Sequence, residues 1–494
     1  MDPMVTVDQG KMRGAEKDGV ISFKGIPYAA APFGSHRFAA PAPAPSWEGV
    51  RDAIEYGPTA PAPPYPSPLD LLLQEPVIAG EECLNLNVWT PATDGARRPV
   101  LVWIHGGGFV NGSGAVSTYD GTRFARDGLV CVTINYRLGA EGFLLLDDAP
   151  ANRGLLDQVA ALEWVRDNIA AFGGDPDAVT IAGESAGAMS VTTLLSMPAA
   201  AGLFRRAIPQ SGGGHHVISS ETAKKVTAAM AETLGVAPTV EGFGSVAPEA
   251  MVAAQSAVGA AIAATPDPAV WGEITSNLMP FEPAIDGTVV PARPIDRLAD
   301  GVAADVDVLI GSNTDEYTLF FVPNGIVDFI DDTMLSGALA MVGADPAEVG
   351  ASYREVHPDA TPGELMVAAM TDWFFKIPAL RVAEARLAHG ADTHVYEFGW
   401  RSPQFDGRLG ACHALEVAFV FDNIDDPAGV PLAGSSPPQS LADDMHAAWV
   451  SFVTSGDPGW APYGTDRTVH LYAENSQTVN DPCGEQRLVW EGIR

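Results

Sequence analysis

The sequence predicts an α/β protein whose central sheet is mostly parallel and covered by helices on both faces. Three observations carry this. Continuous apolar runs of buried-strand type occur at Pro99 to Ile104 and Val130 to Tyr136. Stretches with helical spacing alternate with them, as in Leu155 to Ala170. At Val179 to Met189 a strand runs into a helix through a sharp turn with one serine between two glycines. No internal repeat and no linker interrupts the pattern. Residues 1–494 are therefore read as one domain with loop and helical insertions.

The elements follow in order. Met4 to Tyr28 alternates apolar and polar residues around Gly10, Gly14 and Gly19, which predicts short antiparallel strands and hairpins. Ala29 to Pro68 is rich in Pro and Ala and reads as irregular, extended chain. Leu69 to Ile78 is a short apolar helix or a covering loop. Leu84 to Pro91 is a strand. In the helix from Leu155, one face carries Leu155, Leu156, Val159, Leu162, Val165 and Ile169, with Trp164 at its border. Asp157, Glu163 and Arg166 fall toward its polar side. Arg206 to Gln210 is a strand, and helices run on to about Ala264. Val306 to Gly311 is a strand, Leu365 to His389 helical, His394 to Trp400 a strand and Leu441 to Thr454 a final helix.

Composition excludes several function classes. Sixty-two acidic residues against 28 Lys and Arg leave a formal net charge of −34. Such a surface repels nucleic acid and anionic membranes, so neither is expected as a partner. The first residues, to Lys24, lack the apolar core of a signal peptide, and no stretch has the length and apolarity of a bilayer span. Cys83, Cys131, Cys412 and Cys483 have no metal-ligand spacing, so reduced thiols in a cytoplasm are expected. Asn111-Gly112-Ser113 spells a glycosylation sequon but lies in a glycine loop expected to be buried.

The chemistry starts at Gly183-Glu184-Ser185-Ala186-Gly187, a nucleophile elbow. Small residues two positions either side let strand and helix close on the serine, and the turn lifts Oγ clear of the sheet. His105-Gly106-Gly107-Gly108-Phe109 follows the strand ending at Ile104. Its glycines let the backbone approach a substrate, so the N–H groups of Gly107, Gly108 and Ala186 form a candidate oxyanion hole. The acid should follow the serine just past a strand end, where Asp315 and Glu316 both stand. The residues alone leave that choice open, since Asp315 would also suit a helix cap. Of the histidines after Ser185, His413 stands out. It follows the last good strand through a glycine-containing loop, whereas His394 is inside a strand and His389 and His446 look helical and solvated.

With these residues in hand, the chain resembles the type-B carboxylesterases of the esterase/cholinesterase group, which have the α/β-hydrolase fold. The likeness runs almost end to end. It includes Phe23 to Ala29, Glu82 to Trp89, the His-Gly-Gly-Gly-Phe segment, Asn135 to Gly139, Asn152 to Gln158 and Phe172 to Pro176. The resemblance implies that the acid is Glu316 and the histidine His413. It implies that Glu184 and Ser211 stand behind the triad, with Ser211 bonding the acid–histidine pair, and that Arg37 and Glu81 form a structural ion pair. Relatives often have glycine after the acid and after the histidine; Tyr317 and Ala414 here are expected to narrow the pocket. Secreted relatives pair the cysteine equivalent to Cys83 with one upstream, which is missing here, so Cys83 is expected to be free. Cys412, beside the histidine, is expected to be open to thiol reagents.

The resemblance implies hydrolysis of a small-molecule ester through an acyl-enzyme on Ser185, with no metal or organic cofactor. Pro63 to Ile78, Trp271 to Phe281 and Phe320 to Ile330 are expected to cover the pocket. Their apolar side chains suit short- to medium-chain or aryl esters. A monomer or weak homo-oligomer is expected. An amidase or carbamate hydrolase would use the same residues. A non-catalytic binding protein, as in relatives that lost the triad, is disfavoured by the presence of Ser185, Glu316 and His413 together.

Overall fold

The computed structural model describes residues 2–494. An eleven-stranded sheet runs through it. In chain order its strands are β1 (Ala15–Lys17), β2 (Val20–Pro27), β3 (Asn85–Thr90), β4 (Arg98–Ile104), β5 (Val130–Ile134), β6 (Gly174–Glu184), β7 (Arg206–Gln210), β8 (Asp307–Asn313), β9 (Thr393–Phe398), β10 (Thr468–Tyr472) and β11 (Gln477–Asn480). Their spatial order is β11-β10-β9-β8-β7-β6-β4-β5-β3-β2-β1. Every pairing from β5 across to β10 is parallel, and the flanking pairs are antiparallel. The predicted fold class therefore stands. A separate sheet joins Met4–Val7, Gly10–Arg13 and Val50–Asp52.

Period-two alternation sorts β4 between two cores. Val100, Val102 and Ile104 face one, with Val132 and Ile181 from the neighbouring strands. Leu101 and Trp103 face the other, with Ala182, Ile208 and Leu309. The helices α1 (Arg153–Asn168), α2 (Ala186–Ser196) and α5 (Ile377–Leu387) cover the first face, and α6 (Gln439–Ser455) covers the second. Between them in sequence, α3 (Asp332–Met341) and α4 (Pro362–Thr371) belong to the insertions over the site. All eleven residues of α2 are buried, as its small and apolar composition demands. Two of its hydroxyls are satisfied within the helix: Thr193 donates to the Met189 carbonyl at 2.7 Å, and Ser196 to that of Thr193 at 2.8 Å.

Register aligns the carboxyl ends of the parallel strands. Ile104 pairs with Gly183, Glu184 with Gln210, and Gln210 with Gly311. The segments that leave these ends therefore converge, which is where open parallel sheets place their ligands.

Several expectations need correction. Asp157 is not on a polar face: its side chain is fully buried against Arg137, whose guanidinium donates to both carboxylate oxygens at 2.7 Å. Removing one partner of such a buried pair costs about 3–5 kcal/mol, so it locks α1 to the chain after β5. Helical periodicity missed it because one paired charge fits an apolar face. Arg37 pairs with Glu141, its Nε 3.0 Å from Oε1, and not with Glu81, which is exposed. His446 is buried in α6, its ring nitrogens 2.7 Å from the Val420 carbonyl and 2.9 Å from Asp127. Nor is α6 final, since β10, β11 and a helix at Gly484–Val489 follow. These two outer strands are partly exposed and lack a long apolar run.

Candidate active site

Ser185 sits at the join of β6 and α2 with φ 56° and ψ −124°. A non-glycine residue held there costs about 1–3 kcal/mol, which the packed strand and helix must absorb. Both flanking glycines are required. A Cβ on Gly187 would lie 2.0 Å from the Ile104 carbonyl oxygen, and one on Gly183 would lie 2.6 Å from it. The Ser185 N–H is tied to the Gln210 carbonyl at 2.9 Å.

The glycine loop lies directly over the elbow. A Cβ on Gly106 would come within 3.0 Å of the Ser185 Cβ. Gly107 and Gly108 both have positive φ, 108° and 61°. Their backbone lines the same cavity as Ser185 and His413. Ala186, the first residue of α2, presents its N–H at the helix start, where no intrahelical acceptor exists. His105 packs away from the elbow serine. Burial lowers its pKa to about 4, and its ring stacks on Tyr136 with centroids 4.5 Å apart.

The two acids point in different directions. From the loop after β8, Glu316 Oε2 accepts the His413 Nδ1–H at 2.6 Å, and both side chains are buried. Asp315 turns the other way, accepting from Arg401 at 2.6 Å and from the Ala411 N–H at 2.9 Å. It thus pins the long loop that carries His413. The His413 ring packs against Phe375, centroids 4.6 Å apart, and Phe320, at 5.5 Å.

On its other side, His413 Nε2 lies 3.0 Å from Glu184 Oε1. No hydrogen bond joins Nε2 to Ser185 Oγ among the described residues. Burial pulls the His413 pKa down, but the Glu184 and Glu316 carboxylates outweigh it and the net direction is up. Burial raises Glu184 as well. A proton therefore stays on this pair to higher pH than an isolated imidazole would hold it. A general base at Nε2 must be unprotonated, so a reaction that used it is expected to speed up as pH rises through the His413 pKa. Glu184→Gln removes one stabilising charge. It should move the acid limb of kcat/KM to lower pH by about one unit or more. A limb that stays in place would rule this coupling out.

Two sequence expectations fail here. Ser211 does not bond the acid–histidine pair: its Oγ is buried without a hydrogen-bond partner. Bracing comes instead from residues that sequence reasoning missed. The Asn313 N–H donates to Glu316 Oε1 at 2.8 Å, and Asn313 Nδ2 donates to Glu416 at 2.7 Å. Gln210 Nε2 donates to the other Glu416 oxygen at 3.1 Å. The signal was available. A glutamate inside the apolar run Ala414 to Phe421 can be buried only if paired. Cys412 is no target for thiol reagents, being fully buried with its pKa raised by that burial. The other expectations on cysteine and sequon hold: Cys83 is free and buried, and Asn111 is buried.

Above the site lies a cavity of about 970 Å³. Pro63 to Ile78 contributes Tyr65, Leu69, Leu72 and Leu73, and Trp271 to Phe281 contributes Leu278 and Met279. Of Phe320 to Ile330 only Phe320 and Phe321 reach it, because α3 and α4 take the remaining wall with Met334, Met341, Met366 and Met370. Tyr317 and Ala414 do line it, and Ala414 has φ 65°, a conformation that favours glycine. Among the described residues, no lysine or arginine lines the cavity.

Comparison with known proteins agrees along the whole chain. The model of a family described as the carboxylesterase family matches residues 1–488. The para-nitrobenzyl esterase of Bacillus subtilis (strain 168) is 37% identical, over 98% of this chain and 97% of its own. The phenmedipham hydrolase of Pseudarthrobacter oxydans is 39% identical, over 92% and 90%. A crystal structure of the Geobacillus stearothermophilus carboxylesterase EST55 at pH 6.2 superposes with a TM-score of 0.86 at 39% identity, covering 99% of each chain.

Proposed function

The chain belongs to the carboxylesterase family, as a serine carboxylic ester hydrolase of α/β-hydrolase fold, and from that premise we propose the residues, substrates and setting of its reaction. Ser185 Oγ attacks the ester carbonyl while His413 Nε2 takes its proton. Glu316 holds the imidazole with Nδ1–H toward it and stabilises the imidazolium. The N–H groups of Gly107, Gly108 and Ala186 receive the oxyanion, and losing one such donor costs about 3–4 kcal/mol of transition-state stabilisation. His413 then protonates the departing alcohol. Water attacks the acyl-enzyme by the same route and frees the acid. The reading calls on no cofactor.

The observation that carries this is the 2.6 Å contact of His413 Nδ1 with Glu316, on the same cavity wall as the elbow serine and the glycine loop. The cavity is apolar and at the upper end of ligand-pocket sizes, which favours neutral acyl and aryl groups. Short- to medium-chain and aryl esters are the proposed substrates. Rates for p-nitrophenyl acetate, butyrate, octanoate and palmitate test this. Turnover of the first three that falls at palmitate is expected, and a maximum at palmitate would contradict it.

A second reading, hydrolysis of carbamates or amides by the same residues, is favoured by the relative named phenmedipham hydrolase. Matched ester, carbamate and anilide substrates separate the two. We place the whole chain in the cytoplasm as one catalytic unit, a monomer or weak homo-oligomer without nucleic-acid or membrane partners. The net charge of −34 and four free cysteines support this setting. Among the described residues no helix is long and apolar enough to cross a membrane.

A further inference from the structure

The strap over the cavity, residues 63–78, is fastened at one point to the glycine loop. Asn111 Nδ2 donates to the Pro63 carbonyl at 2.5 Å and to Glu75 Oε2 at 2.8 Å. The Gly112 N–H donates to the other Glu75 oxygen at 2.8 Å. One carboxylate thus holds two adjacent residues, and one amide gathers both ends of the strap. Between these ends, residues 64–74 hydrogen-bond only among themselves.

Asn111 and Gly112 are the surface on which the proposed oxyanion loop rests. The Asn111 N–H donates to the Gly107 carbonyl at 2.9 Å. A Cβ on Gly107 would lie 2.3 Å from the Asn111 carbonyl oxygen, and one on Gly112 would lie 2.3 Å from that of Gly106. No slack separates the two backbones, so a shift of Asn111–Gly112 must be passed to Gly106–Gly107.

We propose that Glu75, through Asn111 and Gly112, is a positioning residue that couples closure of the 63–78 strap to the alignment of the Gly107 and Gly108 N–H groups. It touches no substrate. Ligands that pack against Leu69, Leu72 and Leu73 hold the strap down and so favour the aligned loop. This inference rests on the ester-hydrolase reading above, with Gly107 and Gly108 as oxyanion donors.

The test compares Glu75→Ala and Glu75→Gln with Thr59→Ala on p-nitrophenyl acetate and octanoate. Thr59 accepts from the Ile78 N–H at 3.2 Å, so its loss loosens the strap's far end without touching the glycine loop. Misplacing catalytic groups by about 1 Å costs up to about a hundredfold, so Glu75→Ala is expected to lower kcat on acetate by about tenfold or more. Glu75→Gln keeps the Gly112 contact but sets a donor against Asn111, and should lose less. Thr59→Ala should raise KM for octanoate and leave kcat on acetate unchanged. A purely structural tether would make the Glu75 variants behave like Thr59→Ala. A wild-type kcat on acetate in either folded Glu75 variant would overturn the proposal while the esterase reading stands. A folded wild type that hydrolyses neither ester would overturn both.

Discussion

Ser185→Ala is expected to lower hydrolysis of p-nitrophenyl butyrate by about a millionfold, the scale seen when a triad nucleophile is removed. That is about 8 kcal/mol of barrier. Three features make the effect large. The serine Oγ is the atom that would carry the acyl group, and Ser185 lines the cavity. The strained φ of 56° exists to present it. The substitution also leaves the fold alone: alanine keeps the Cβ, and the Ser185 hydrogen bond to Gln210 is made by backbone. Circular dichroism and thermal melting should therefore match wild type while turnover disappears.

Glu316→Gln should cost about ten-thousandfold in kcat, with KM little changed. The amide keeps the shape of the carboxylate. It loses the charge that stabilises imidazolium, and it can offer an N–H where His413 Nδ1 needs an acceptor. The ring would then be held in the wrong tautomer. Asp315→Asn is the control. Its carboxylate binds Arg401 and the Ala411 N–H instead of His413, so it should lower stability more than the chemical step. If Asp315→Asn proved the more damaging to kcat, the assignment of the acid would be reversed.

Much of this architecture was legible in the sequence because central parallel strands are buried on both faces. The runs at Arg98–Ile104 and Val130–Ile134 could hardly be anything else. The elbow and the glycine loop were legible for a steric reason, since the close approach to the Ile104 and Asn111 carbonyls admits only glycine. Less visible were features whose logic is pairwise and long-range. Asp157 looks polar until Arg137 is placed beside it, and Arg37 finds Glu141 through a fold that spacing does not reveal. Glu416 and Asn313 are ordinary letters that the packing turns into a brace for Glu316. Ser211 shows the converse, a matching letter whose hydroxyl the fold leaves without a partner. The outer strands β10 and β11 were missed because partly exposed strands need no continuous apolar run.

The central claim is that Ser185 is the group acylated during turnover. It is tested most directly by treating the folded protein with an alkyl fluorophosphonate and locating the adduct by peptide mass spectrometry, with residual ester hydrolysis followed in parallel. A single adduct on Ser185, appearing in step with loss of activity and absent from Ser185→Ala, is the expected result. Labelling of another residue that tracks the loss of activity, or full activity with Ser185 modified, would contradict it.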